Sequence, residues 1–76
     1  MEKIYKILEE TRPEYDFRKS DDYIEDGFLD SYDVISIVTD LEEKFDILID
    51  PLDIVPENFA NADSITKLVK KNGGEV

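Results

Sequence analysis

The chain contains no cysteine, no histidine and no tryptophan. Without cysteine it has no disulfide framework, which favours a reducing compartment, and we expect a cytoplasmic protein. The lack of histidine and cysteine also removes the commonest general base, the usual thiol nucleophile and the usual zinc ligands. We therefore expect neither an autonomous enzyme with catalytic residues of its own nor a metal site.

Basic residues are scarce, with 9 lysines and arginines against 20 acidic residues and a net charge of −11. This charge repels the phosphates of nucleic acids and of anionic membranes, so proteins with basic patches are the expected partners. The sequence also lacks the run of about 18 apolar residues that a membrane span needs, and it begins without the basic and apolar segments of a secretory signal. We expect no nucleic-acid partner and no insertion into a membrane.

The length of 76 residues leaves room for a single small domain, which buries only about 60% of the surface that the unfolded chain exposes.

The first helix of the chain is indicated by Ile4, Ile7 and Leu8 and should stop near Thr11, because Pro13 follows. From 12 to 29 neither a helical nor a strand period holds. Six apolar residues in this stretch nevertheless predict a long loop that is pinned across the core: Tyr15, Phe17, Tyr23, Ile24, Phe28 and Leu29.

The strongest helical pattern runs from about Asp30 to Phe45. Its apolar residues recur at steps of three and four and form one stripe: Val34, Ile37, Val38, Leu41 and Phe45. Asp30 is a favourable N-cap, and Asp33 adds negative charge in the first turn, next to the positive end of the helix dipole. This helix should supply the main core face.

The remaining chain predicts two shorter elements. Residues 45–49 have no matching partner strand and are interpreted as a buried connection. Asp50 and Pro51 should begin a short third helix, a helical turn that runs to about Val55 before Pro56 interrupts it. A last helix should be capped near Asn61 and end at Gly73 and Gly74. We expect an all-α fold, a small four-helix bundle with a long loop between helices one and two.

A candidate site lies where the long loop meets the main helix, in the segment 27–32, Gly-Phe-Leu-Asp-Ser-Tyr. Ser31 should occupy the exposed first turn, where unpaired backbone N–H groups favour an anion such as a phosphate ester. The segment resembles the glycine, two-spacer, aspartate-serine-leucine signature of acyl and peptidyl carrier proteins. The similarity continues through 41–45, Leu-Glu-Glu-Lys-Phe, and 56–59, Pro-Glu-Asn-Phe.

The resemblance implies that Ser31 is the attachment site of 4′-phosphopantetheine, with Asp30 as the helix cap beside it. A phosphopantetheinyl transferase would add this arm from coenzyme A. An adenylating or acyl-ligating enzyme would then load an acyl or aminoacyl group as a thioester, and an acyl-accepting enzyme would receive it. A chain without cysteine can carry a thioester only on such a cofactor. The implied carrier domain covers 1–72 and is monomeric, and 73–76 form a flexible tail.

Three positions depart from the pattern of fatty-acid carriers: Tyr32 stands where leucine is common, Ser36 where glutamate is frequent, and Thr39 where an apolar residue is frequent. At the first position the chain is similar to D-alanyl carriers, which favours an aminoacyl or specialised cargo. The residues that we expect to meet partner enzymes are Tyr32, Asp33, Ile35, Ser36, Thr39, Asp40, Glu43, Ile54 and Val55.

Other interpretations start from the same residues. The acidic residues of the main helix also suit an ordinary solvated face, and an acidic scaffold that binds a basic surface without ever being modified is the alternative function. Residues 22–27 begin like a calcium loop, but Ile24 at the third position offers no oxygen ligand, which argues against that site.

Overall fold

A computed structural model, which describes residues 1–75, shows three α-helices joined by loops and short turns, with no strand among those residues. Its helices are α1 (Glu2–Thr11), α2 (Ser31–Phe45) and α3 (Ala62–Lys71). Three short 3₁₀ turns lie in the connections: Phe17–Lys19, Pro51–Asp53 and Pro56–Phe59. The predicted all-α class is confirmed, and none of the helices within this range is long and apolar enough to cross a bilayer.

The predicted start and end of α1 are also confirmed. Ile4, Ile7 and Leu8 are buried and pack this helix against α2 and α3. The helix ends where the Arg12 N–H donates to the Leu8 carbonyl, and Pro13, which cannot continue the hydrogen-bond ladder, follows directly. Arg12 is thereby placed at the carboxyl end of α1, where the chain turns towards the loop.

The long loop between α1 and α2 is pinned by an aromatic cluster, as predicted. Phe17 and Tyr23 are buried and meet edge to face at 5.0 Å between ring centroids, while Tyr15 stacks on Phe28 at 4.4 Å. The Tyr23 N–H donates to the Ala60 carbonyl at 2.6 Å, which fastens the loop to the segment before α3. Aromatic pairs of this geometry add about 0.5–1.5 kcal/mol each beyond the area they bury, so an irregular backbone acquires a fixed path.

The predicted stripe of α2 faces the core, although Phe45 at its end is only half-buried. The helix stops at Asp46, which has the left-handed φ of 53°. In the connection that follows, Ile47 and Ile49 are buried and Leu48 between them is 83% exposed. The Ile49 N–H donates to the Glu42 carboxylate at 2.9 Å, so this connection is held to the last turn of α2.

The predicted short third helix is wrong in detail, because residues 51–59 form two separate 3₁₀ turns. Asp50 caps the first turn by accepting a hydrogen bond from the Leu52 N–H at 2.9 Å. Pro56 interrupts the segment as predicted, because a proline disfavours the helical conformation of the residue before it, and Val55 has an extended φ of −128° and ψ of 151°. One helix is therefore replaced by a turn, an extended residue and a second turn.

The last helix agrees with its prediction. The Asn61 side chain accepts a hydrogen bond from the Ser64 N–H at 2.8 Å, which caps α3. Its core residues are those expected from the sequence: Ala62, Ile65, Leu68 and Val69. The N–H groups of Gly73 and Gly74 donate to carbonyls of the last turn. The flexibility of 73–76 stays a prediction, and Val76 lies outside the described residues.

Candidate functional site

Ser31 is the first residue of α2, and its side chain is exposed. The chain reaches it through Gly27, whose φ of 76° is left-handed, and through a turn in which the N–H groups of Phe28 and Leu29 both donate to the Tyr23 carbonyl at 2.8 and 3.1 Å. Leu29 is buried two residues before Ser31. The aromatic cluster and Leu29 therefore anchor the loop segment that leads to Ser31, whose hydroxyl is exposed to solvent.

Asp30 and Asp33 cap the start of α2 reciprocally. The Asp30 carboxylate accepts a hydrogen bond from the Asp33 N–H at 2.9 Å, and the Asp33 carboxylate accepts one from the Asp30 N–H at 3.1 Å. The hydrogen bond from the Asp33 N–H is the main cause that holds the pKa of Asp30 below its ordinary value. This arrangement is a capping box in which an aspartate replaces the usual glutamate or glutamine.

Arg12 reaches the same capping box from the end of α1. Its Nε donates to Asp33 Oδ2 at 2.8 Å, and its two terminal nitrogens lie 3.4 Å from Asp30 Oδ2 and from Glu14 Oε2. The hydrogen bond to Asp33 raises the pKa of Arg12. Sequence reasoning missed this residue, because nothing in the pattern connects a position to partners 18 and 21 residues further along.

The outward face of α2 beside Ser31 carries the predicted mixture of residue types. Tyr32 and Ile35 are 81% and 62% exposed. Ser36, Thr39 and Glu43 are exposed along the same helix. Asp40 is half-buried and lines a shallow groove between α1 and α2 together with Lys3 and Lys6 and their neighbours.

The other predicted contact residues have different surroundings. Asp33 is only 8% exposed, because its carboxylate is engaged in the capping box, so it supports the site from beneath. Ile54 and Val55 are half-buried between the two 3₁₀ turns, and Ile54 packs against the core. Sequence reasoning also missed Leu48 and Leu52, which are 83% and 85% exposed. Leu48 lies between the buried Ile47 and Ile49, and Leu52 lies in the 3₁₀ turn Pro51–Asp53. The sequence does not indicate that either side chain points to solvent.

The chemistry available at this site is that of an acceptor. Ser31 offers an exposed hydroxyl, and the chain contains neither histidine nor cysteine that could activate it or replace it as a nucleophile. Within residues 1–75 no group of three or more acidic side chains comes together as a metal site.

Comparison of this chain with protein-family models, with curated proteins and with solved structures finds no match.

Proposed function

We propose that this protein is a carrier that holds an acyl or aminoacyl group as a thioester on a 4′-phosphopantetheine arm attached to Ser31. The proposal rests on the different roles that Asp30 and Ser31 have at the start of α2. Asp30 caps the helix, and Ser31 is the exposed residue that follows it. Esterification of Ser31 would therefore leave the helix cap intact, and the new phosphodiester would lie at the positive end of the helix dipole.

The surroundings of Ser31 fit such an arm. The exposed hydroxyl is the acceptor that the arm requires, and Tyr32 and Ile35 next to it give an apolar surface at which a partner enzyme can bind. Acidic residues nearby favour partners with basic rims. In this proposal the two 3₁₀ turns between 51 and 59 occupy the place of the short third helix of a four-helix carrier fold.

The modification is a transfer of one phosphoryl-linked group. The Ser31 oxygen attacks the phosphorus that bears the pantetheine in coenzyme A, a new phosphorus–oxygen bond forms, and the pyrophosphate bond breaks to release the nucleotide half. The hydroxyl proton passes to a base of the phosphopantetheinyl transferase. When bound, the arm supplies the thiol that the chain lacks.

The partners follow from this chemistry. Besides the transferase, an adenylating or acyl-ligating enzyme loads the thiol and an acyl-accepting enzyme unloads it. Tyr32 next to the serine favours an aminoacyl or specialised acyl cargo over an ordinary fatty acid. The protein itself contributes the attachment point and the surface that its partners recognise.

Mass spectrometry tests the proposal. The unmodified protein is incubated with coenzyme A and a broad-specificity transferase, and we expect the mass of one arm to be added. Ser31→Ala should abolish the increase. Ser64→Ala is the matched control, because Ser64 lies in the first turn of another helix, α3, and is not among the residues expected to meet partner enzymes, and it should be modified like the wild type.

An unchanged mass, with a known carrier modified in the same reaction mixture, would contradict the proposal. That result would favour the acidic scaffold, whose binding to a basic protein should weaken steeply with salt and should be insensitive to Ser31→Ala.

A further inference from the structure

The Arg12 guanidinium joins the end of α1 to the residues on both sides of Ser31. It donates to Asp33 Oδ2 at 2.8 Å, and it lies 3.4 Å from Asp30 Oδ2. We propose that Arg12 is a positioning residue for the modification of Ser31 and acts through the Asp30 and Asp33 capping box. The inference rests on the proposed carrier function.

The backbone before Ser31 is held through Asp33. Asp33 Oδ2 accepts two hydrogen bonds, one from Arg12 Nε and one from the Asp30 N–H at 3.1 Å. The oxygen that fixes the Asp30 backbone is thus itself held by the guanidinium. Since Asp30 directly precedes Ser31, loss of Arg12 would loosen the backbone that aims the serine hydroxyl.

Arg12 also changes the charge around Ser31. Asp30 and Asp33 place two carboxylates within one helical turn of the hydroxyl, and the co-substrate of the proposed transfer carries a negatively charged pyrophosphate. Arg12 offsets part of that repulsion, and its side chain is only about one-third exposed, at 35%, so bulk water screens it less than a fully exposed charge. Removal of Arg12 would leave the approach to Ser31 more negative.

The chain offers a matched control in its only other arginine, Arg18. Arg18 binds both carboxylate oxygens of Glu2, at 2.8 and 2.9 Å, and lies over the Tyr5 ring at 4.2 Å. These contacts join the first 3₁₀ turn to α1 and leave the capping box of α2 untouched. Arg18→Gln therefore makes the same change of net charge and also breaks an arginine–carboxylate contact, but away from Ser31.

The test compares Arg12→Gln, Arg12→Lys and Arg18→Gln with the wild type, at a temperature where circular dichroism shows all four to be folded. The rate of arm transfer is followed by mass spectrometry at saturating coenzyme A and at low and high salt. Amide hydrogen exchange of Asp30 and Asp33 is measured in the unmodified proteins, which gives a readout that needs no transferase. The lysine variant keeps the charge and cannot reproduce the paired contacts of a guanidinium.

We expect Arg12→Gln to slow the transfer about tenfold, the value of one lost hydrogen bond to a charged group, and to speed exchange at the Asp30 amide. The decrease in transfer rate at saturating coenzyme A should persist at high salt, and Arg12→Lys should recover only part of the wild-type rate. Arg18→Gln should leave both measurements within about twofold of the wild type.

Three results would overturn the inference. The first is equal transfer rates for Arg12→Gln and Arg18→Gln. The second is slow transfer with unchanged exchange at Asp30, which would mean that the transferase contacts Arg12 directly. The third is a loss that disappears at high salt, which would leave a charge effect alone. Failure of the wild type to accept the arm would instead contradict the proposed function, so the two failures are distinguishable. If Arg12→Gln does not fold, the transfer rate and the amide exchange of Arg12→Lys are compared with those of the wild type instead.

Discussion

Asp33, an acidic residue, is buried at the start of α2, and its carboxylate accepts hydrogen bonds from Arg12 Nε at 2.8 Å and from the Asp30 N–H at 3.1 Å. A buried carboxylate is costly unless it is paired and hydrogen-bonded. Here both conditions are met by groups from the end of α1 and from the loop before α2. This one charged side chain therefore helps to fix the first turn of the helix that carries Ser31.

Replacement of the Asp33 carboxylate should destabilise the fold. Asp33→Ala removes the hydrogen bond to the Asp30 N–H and leaves the Arg12 guanidinium without its nearest partner, so we expect the free energy of unfolding to fall by about 2 kcal/mol. Urea denaturation at neutral pH measures the change. Asp63→Ala is the control, because Asp63 is an exposed acidic residue in the first turn of α3, and its loss should stay within about 0.5 kcal/mol. Equal losses for the two variants would contradict a special role for Asp33.

The helices of this protein follow from local information. The spacing of Val34, Ile37, Val38 and Leu41 identifies the buried face of α2, and Asp30 and Asn61 mark the starts of α2 and α3. These signals are contained within a few residues of the element that they define. The all-α class and the place of Ser31 at a helix start could therefore be predicted from the sequence.

The features that the sequence did not reveal depend on distant or competing groups. Arg12 meets Asp33 only because the aromatic cluster folds the intervening loop back, and a periodicity search has no access to such a contact. Between 51 and 59 the predicted turn starts at Pro51 and is interrupted before Pro56 as expected, but the sequence did not reveal that it is a 3₁₀ turn ending at Asp53 or that a second turn, Pro56–Phe59, follows. Supporting residues of a site are harder to predict than its exposed hydroxyl for this reason.

Acid should weaken the cap of α2 at Asp30. The pKa of this carboxyl is held below its ordinary value of 3.8, chiefly by the Asp33 N–H and further by the Arg12 charge. A lowered pKa in the folded state means that the stabilisation is complete above 3.8 and is lost as the pH falls through the folded value. Asp30→Asn keeps a capping side chain that does not titrate. We expect the stability advantage of the wild type over Asp30→Asn to be greatest near neutral pH and to shrink in acid. A difference independent of pH would contradict this.

Alkali should act on Tyr23. Burial is the main cause that raises the pKa of its phenol from 10.0 to about 12. Because the folded value lies above the unfolded one, the stabilisation is complete below pH 10 and is lost as the pH rises from 10 to about 12. Urea denaturation across this range should show a steeper loss for the wild type than for Tyr23→Phe. Tyr32→Phe is the control, since Tyr32 is exposed, and it should keep the wild-type loss. Parallel curves for Tyr23→Phe and the wild type would refute the assignment.

Salt should stabilise the fold, because repulsion among the acidic residues outweighs the ion pairs. The net charge of −11 lies on a body that measures 28 × 23 × 18 Å. At about 0.01 M salt the screening length is about 30 Å, so charges across the whole molecule repel one another, whereas at about 0.15 M it falls to about 8 Å. Exposed pairs such as Arg18 with Glu2 are weakened by the same salt, but pairs of this kind contribute little to stability.

We therefore expect the melting temperature to rise by several degrees, about 1 kcal/mol of stability, over this range of salt. Sodium and choline chlorides at equal ionic strength should give the same rise, since screening does not depend on the cation. Asp46→Asn removes one exposed charge and keeps a residue type that tolerates the left-handed conformation found there. It should make the rise smaller. A melting temperature that falls with salt would mean that the ion pairs, rather than the excess of carboxylates, dominate the electrostatics of the folded state.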